Sequence, residues 1–250
     1  MLEAIRRFFW RVRWFCAVSP AVCWLTGICL AVYFAQSRLD AVTFAYGYSF
    51  ADVVLPCFAM DVFFFKGFFW QPVTYMFLHG GGWHLACNLF TVVFFGSALE
   101  RAIGARRFWK VFFFGGVLGG IGWLLVTYLL NAFPAFSSLT AWIPESIRAR
   151  WHLGMGSVPE AEVCIGASGG VFSLIGAYAA LFPYNEVRAL LFFVIPVKLK
   201  ARTLAVLIGV FTIAEAVFVQ SQIAYAAHLV GGVAGYLLAR YWSVHYGRYR

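Results

Sequence analysis

Apolar and polar positions in this chain fall into long blocks instead of the short alternation that marks the half-buried elements of a water-soluble domain. Continuous apolar stretches of the length that crosses a hydrocarbon core, roughly 20 residues at a rise of about 1.5 Å each, cover residues 17–35, 83–102, 108–130, 164–182, 204–219 and 223–242. These six blocks predict six membrane-spanning helices, the fifth lengthened by its flanks. A further apolar piece at 189–197 contains Ile195-Pro196-Val197 and is too short to span. It is expected to lie at the interface or to lead into the fifth span.

The connections are unequal. The long ones are residues 36–82 and 131–163, both on the side opposite most of the positive charge. The first carries Phe63-Phe64-Phe65-Lys66-Gly67-Phe68-Phe69-Trp70, aromatic rings with one cation, a mixture that suits the headgroup layer. The second contains Pro134, Pro144 and Pro159 and has turn-rich composition without a period. No internal repeat or separate soluble domain is visible. The chain is therefore expected to be one all-α, polytopic membrane domain over residues 1–250: a basic N-terminus (1–16), a core (17–242) and a basic tail (243–250).

Composition agrees. The chain is 63% hydrophobic and 20% aromatic with only 12% charged residues, more apolar surface than a water-soluble core of 250 residues hides. Orientation follows from Lys and Arg, which accumulate on cytoplasmic loops. One side holds Arg6, Arg7, Arg11 and Arg13, then Arg101, Arg106, Arg107 and Lys110, then Arg188, Lys198, Lys200 and Arg202, and finally Arg240, Arg248 and Arg250; the other holds Arg38, Lys66, Arg148 and Arg150. Both termini are expected in the cytoplasm, a pattern that fits a bacterial inner membrane.

The net charge of +9 does not point to nucleic acid, because the cations sit at span ends and not in one patch. Arg6–Arg13 ahead of an apolar run resembles a signal peptide, but the run lacks a small-residue cleavage signature and is long enough to span. Cys16, Cys23, Cys29 and Cys87 lie in or beside spans, which leaves Cys57 and Cys164 as plausible partners on the outer side. No disulfide framework or metal spacing is visible, and no cofactor is expected.

Polar side chains within spans are expensive, so each invites a functional explanation. His84, Asn88, Ser168 and His228 stand out, with Glu215 as a fifth. Spans two, four and six run in the same direction, which puts Asn88, Ser168 and His228 at a common depth, about four or five residues or roughly 6–8 Å below the outer surface. Ser168 lies in Gly166-Ala167-Ser168-Gly169-Gly170 at a helix opening, where free N–H groups and the positive dipole end favour a developing oxyanion. The alternative is that these glycines form a face for close helix packing.

His228 shares a stripe with Gly231 and Gly235. If that stripe faces the start of span four, the imidazole reaches the Ser168 hydroxyl as its general base; otherwise it is a packing or hydrogen-bonding residue. His84 and Asn88 are four apart on one face, able to donate to an oxyanion or to make a plain interhelical contact. His79 and His84 straddle three glycines with no Cys or acid to complete a zinc site. Glu215 is expected to be a neutral structural acid, with tuning of His228 left open.

Three motifs together resemble the rhomboid family of intramembrane serine proteases, over about residues 70–242. They are His79-Gly80-Gly81-Gly82-Trp83-His84-Leu85-Ala86-Cys87-Asn88, Gly166-Ala167-Ser168-Gly169, and Ala227-His228-Leu229-Val230-Gly231-Gly232-Val233-Ala234-Gly235. The resemblance implies a six-helix bundle with Ser168 as nucleophile and His228 as general base, without a carboxylate third member. It also implies an oxyanion hole from His84, Asn88 and the Ser168 N–H, and Phe172 packed on the imidazole. The family's usual Trp-Arg pair of the first outer loop has no obvious counterpart. The implied substrates are transmembrane proteins whose helix unwinds at the cut, with a small side chain before it. A client-binding relative without activity is the rival reading, but such relatives lack the serine or histidine. A six-span transporter fits poorly, because the halves do not repeat.

Overall fold

The computed structural model describes residues 2–39, 54–132, 163–191, 195–218 and 224–245. Helices α1 (Leu2–Val18) and α2 (Pro20–Leu39) are separated by Ser19 alone. They are followed by α3 (Gly82–Ile103), α4 (Ala105–Ala132), α5 (Ser168–Leu181), α6 (Ala201–Phe218) and α7 (Tyr225–His245). The apolar blocks of the sequence thus correspond to α2 through α7. Among the described residues, α2, α3 and Ala105–Thr127 of α4 are long and apolar enough to cross a membrane. At 14 residues, α5 is shorter than the block 164–182 suggests.

Two expectations are corrected. The segment around 189–197 belongs to an antiparallel hairpin, β1 (Glu186–Leu191) on β2 (Ile195–Lys200), so the fold is helical with one two-stranded sheet and not purely α. Its register pairs Glu186 with Lys200, Arg188 with Lys198 and Val187 with Leu199. Charged positions thereby share one face, the period-two pattern that a strand requires. Secondly, Cys16 and Cys23 form a disulfide across the α1–α2 junction, while Cys57 and Cys164 are free thiols. The basic N-terminus is a helix, an element the sequence reading leaves unassigned. The outer stretch 131–163 lies, apart from its ends, outside the described residues.

The centre of the bundle is built from α4, α5 and α7, whose backbones touch. A Cβ placed on Gly231 of α7 would overlap the Gly169 carbonyl of α5, and one on Gly235 would overlap that of Ser173. A Cβ on Gly119 of α4 would stand 2.7 Å from the Ala227 carbonyl oxygen. Without a hydrophobic driving force between helices in lipid, such small-residue contacts and interhelical hydrogen bonds supply the cohesion. Ser173 Oγ donates to Val111 O at 2.7 Å across α5 and α4.

The other half of the bundle is tied by one acid. Glu100, buried near the end of α3, accepts from Ala21 N at 2.8 Å and Val22 N at 3.0 Å, the backbone donors that the first turn of α2 leaves without a helical acceptor. Pro20 opens that helix where its missing N–H costs nothing. Glu100→Ala strands both donors in the interior and is expected to destabilise the protein by about 2–5 kcal/mol. Unfolding by SDS titration in mixed micelles checks this.

Candidate active site

The segment before α5 is held in place from two sides. Cys164 and Met60 exchange backbone hydrogen bonds of 2.9 and 3.0 Å, and Gly166 N donates to Tyr75 O at 2.9 Å. Gly166 has φ +122°, a conformation that glycine alone adopts cheaply, and it turns the extended chain into the helix. From the sequence, Ser168 is expected at a helix opening, about four residues inside its apolar block; α5 begins at Ser168 itself. The serine therefore sits in the first turn of α5, beside backbone N–H groups that have no helical acceptor.

The anchoring loop is knitted by its own side chains. Trp70 Nε1 donates to Cys57 O at 2.8 Å, Gln71 Nε2 to Pro56 O at 2.8 Å, and Thr74 Oγ1 to Phe58 O at 2.6 Å. Gln71 is fully buried, and its Oε1 accepts from Asp61 N at 3.4 Å. Tyr75 OH donates to Gly116 O at 2.6 Å, pinning the loop to α4. The aromatic run expected at the headgroup layer forms a compact set here, with Lys66 Nζ 4.8 Å from the Phe63 ring centroid and Phe68 and Trp70 rings 5.1 Å apart.

Close approach of α5 and α7 brings Ser168 and His228 together. Nε2 of His228 lies 2.8 Å from Ser168 Oγ. Phe172, one turn after the serine, stacks on the imidazole with centroids 4.3 Å apart and planes 10° from parallel. That contact fixes the ring plane and leaves Nε2 aimed at the hydroxyl. In the proton-accepting form of the imidazole, the hydroxyl donates to Nε2.

His84 and Asn88 of α3 face the turn before the serine. A Cβ on Gly166 would lie 2.8 Å from His84 Nε2, so a larger residue would displace that ring, while Asn88 Nδ2 would stand at an ordinary contact distance of 3.7 Å. Asn88 is 5% exposed, and its Nδ2 is buried without a hydrogen-bond partner in the described structure. A buried donor left without a partner is uncommon in folded proteins.

His79 stands behind His84, with ring centroids 5.4 Å apart and edge to face. Burial, then the neighbouring His84, lowers its pKa to about 4. The ring is neutral at neutral pH. Because a carbonyl only accepts, the 3.1 Å contact with Phe77 O puts the proton on Nδ1. Gln36 of α2 grips the His79 backbone in both directions, Nε2 donating to its carbonyl at 3.1 Å and Oε1 accepting from its N–H at 3.2 Å. The pattern of apolar blocks gives Gln36 and Glu100 no role, since polar residues near span ends look like interface residues; a buried position facing another helix is what distinguishes them.

Every residue expected at the site from the sequence therefore falls in one neighbourhood, including Gly169, Gly231 and Gly235, which make the α5–α7 contact. Glu215 does not join it. It is half-buried on α6, and among the described residues no hydrogen bond or ion pair links it to His228.

The profile of the family described as Rhomboid domain matches residues 66–244. The chain belongs to the rhomboid family. It is similar to Bacillus subtilis YdcA, which bears a rhomboid-protease name: 29% identity over 175 residues, 70% of this chain and 67% of YdcA. Yeast mitochondrial Rhomboid protein 1 is 26% identical over 67% of this chain and 40% of its own length. The chloroplastic RHOMBOID-like protein 9 of Arabidopsis thaliana is 30% identical over 52% and 30%. This rhomboid thus spans about two thirds of the Bacillus relative and well under half of the other two. Its apolar helices and family make it an integral membrane protein.

Proposed function

We propose that this rhomboid is an intramembrane serine endopeptidase that cuts transmembrane proteins within or near the outer leaflet, with Ser168 as nucleophile and His228 as general base. Family membership supports intramembrane proteolysis as the activity. The observation that carries the finer reading is the 2.8 Å contact between Ser168 Oγ and His228 Nε2, with an unpartnered Asn88 donor beside the same turn.

In this mechanism Oγ attacks the scissile carbonyl as Nε2 removes its proton. The carbonyl oxygen becomes an oxyanion that takes hydrogen bonds from Asn88 Nδ2, His84 and the Ser168 N–H, aided by the positive end of α5. Collapse expels the amine, which receives the proton from His228, and leaves an acyl-enzyme. Water, deprotonated by the same imidazole, hydrolyses it. No carboxylate partner is assigned to His228; Phe172 takes over the task of holding the ring. A substrate helix must open before attack, because its carbonyls are already hydrogen-bonded, so Gly, Ser or Pro near the cut favours cleavage.

The topology that goes with this reading has six spans, both termini in the cytoplasm, and the site open to water on the outer side, as in a bacterial inner membrane. Purified wild type and Ser168→Ala, incubated in liposomes with a single-span substrate, test it: fragments from the wild type alone support the assignment, and equal cleavage by both discards it. Asn88→Ala is expected to lower kcat about 10²–10³-fold with little change in KM, the loss typical of one oxyanion donor. Steady-state kinetics on the same substrate read both parameters.

A further inference from the structure

Helix α1 lies outside the set of apolar spans, and its composition is of a different kind. Arg6, Arg7, Arg11 and Arg13 are exposed, and its sole acid, Glu3, is already paired with Arg7 at 3.2 Å. Interleaved with these cations are Trp10 and Trp14, 66% and 57% exposed, while Phe9 at 64% and Val12 at 42% lie on the opposite side. At about 100° per residue, Phe9, Val12, Phe15 and Cys16 fall on one side of the helix and the arginines on the other. Water is a poor solvent for so many exposed aromatic rings, and hydrocarbon is a poor one for the arginines.

α1 is tied covalently to the start of α2. Only Ser19 separates it from α2, and the Cys16–Cys23 disulfide bridges that junction. Glu100 bonds Ala21 and Val22 just beyond, so the α3–α4 turn with exposed Arg101, Arg106 and Lys110 stands at the same end of the bundle. Glu100 is engaged with those backbone donors and Glu3 with Arg7, so neither of these two acids is left to balance the arginines of α1.

We propose that α1 lies in the headgroup layer and binds anionic phospholipid of the surrounding leaflet. The arginines bond lipid phosphates, and Phe9 and Val12 dip toward the acyl boundary. A basic amphipathic helix with aromatic side chains has this preference, and charge complementarity singles out the anionic lipids. The proposal rests on membrane integration and not on the protease assignment, so it stands or falls separately from Ser168.

The test uses the full-length protein in nanodiscs of phosphatidylcholine alone or mixed with phosphatidylglycerol, with hydrogen exchange of residues 2–18 followed by mass spectrometry. Exchange is expected to be about tenfold slower with phosphatidylglycerol, and the difference should shrink in high salt. The triple variant Arg6→Gln, Arg11→Gln, Arg13→Gln should lose the lipid dependence, while the corresponding triple Lys variant should keep it. Unchanged exchange of α4 and α5 peptides certifies folding in each case. Equal exchange in the two lipids, an unaffected Gln triple, loss in both triples, or protection that follows two copies per disc instead of lipid charge overturns the proposal.

Discussion

Ser168→Ala and His228→Ala are each expected to reduce turnover of a transmembrane substrate by at least about 10⁴-fold, and the double variant should be no worse than either single. The two side chains act as one unit: without the imidazole the hydroxyl has no proton acceptor at 2.8 Å, and without the hydroxyl the imidazole has nothing to activate. Non-additivity is the diagnostic outcome. If the two losses multiplied, Ser168 and His228 would be contributing independently, as a packing serine and a substrate-binding histidine would. Ser168 is half-exposed and its hydroxyl bonds no other described group, so the Ala variant should keep its stability within about 0.5 kcal/mol. Loss of activity would then be chemical and not a consequence of unfolding. Single-turnover kinetics on the three variants, with unfolding curves alongside, make the comparison.

Gly231→Ala carries the second large expectation. The added methyl would overlap the Gly169 carbonyl and stand 3.2 Å from that of Gly115, so α7 must move away from α4 and α5. Overpacking of this kind typically costs about 1–3 kcal/mol. The effect on catalysis should be larger. His228 is one turn from Gly231 on the same stripe, and a displacement of about 1 Å between reacting groups can lose about 10²-fold in rate. Gly209→Ala supplies the control, because a Cβ at Gly209 of α6 meets nothing within 4 Å. Both unfolding in mixed micelles and kcat should change for Gly231→Ala and neither for Gly209→Ala. A stable but inactive Gly231 variant would show that the glycine stripe serves alignment more than cohesion.

Much of this arrangement was legible from the chain. Long apolar blocks predict helices because the hydrocarbon solvent leaves the backbone little else to do, and α2 through α7 begin and end close to the block limits. The site was legible for the complementary reason: a histidine, an asparagine and a serine stand out against leucine and phenylalanine. What stayed hidden depends on direction and not on composition. The hairpin β1–β2 alternates charged and apolar positions, but the apolar run between its strands hides that period. Glu100 and Gln36 lie near span ends, where polar residues are ordinary, and only their burial reveals that they cap α2 and hold His79. The Cys16–Cys23 pairing is hard to read because both cysteines fall at the edge of an apolar block, and the break at Ser19-Pro20 that separates α1 from α2 has no strong mark in the apolar pattern.

The central claim is that Ser168 is a nucleophile activated by His228, and labelling with a fluorophosphonate tests it most directly. Attack by Ser168 Oγ forms the O–P bond, His228 takes the proton and fluoride leaves, so the adduct marks the activated hydroxyl. The account predicts one adduct, mapped to Ser168 by mass spectrometry, with labelling at least about 10²-fold slower in His228→Ala. A wild type that cleaves its substrate while Ser168 stays unlabelled, or whose Ser168 labels at the same rate without His228, contradicts it.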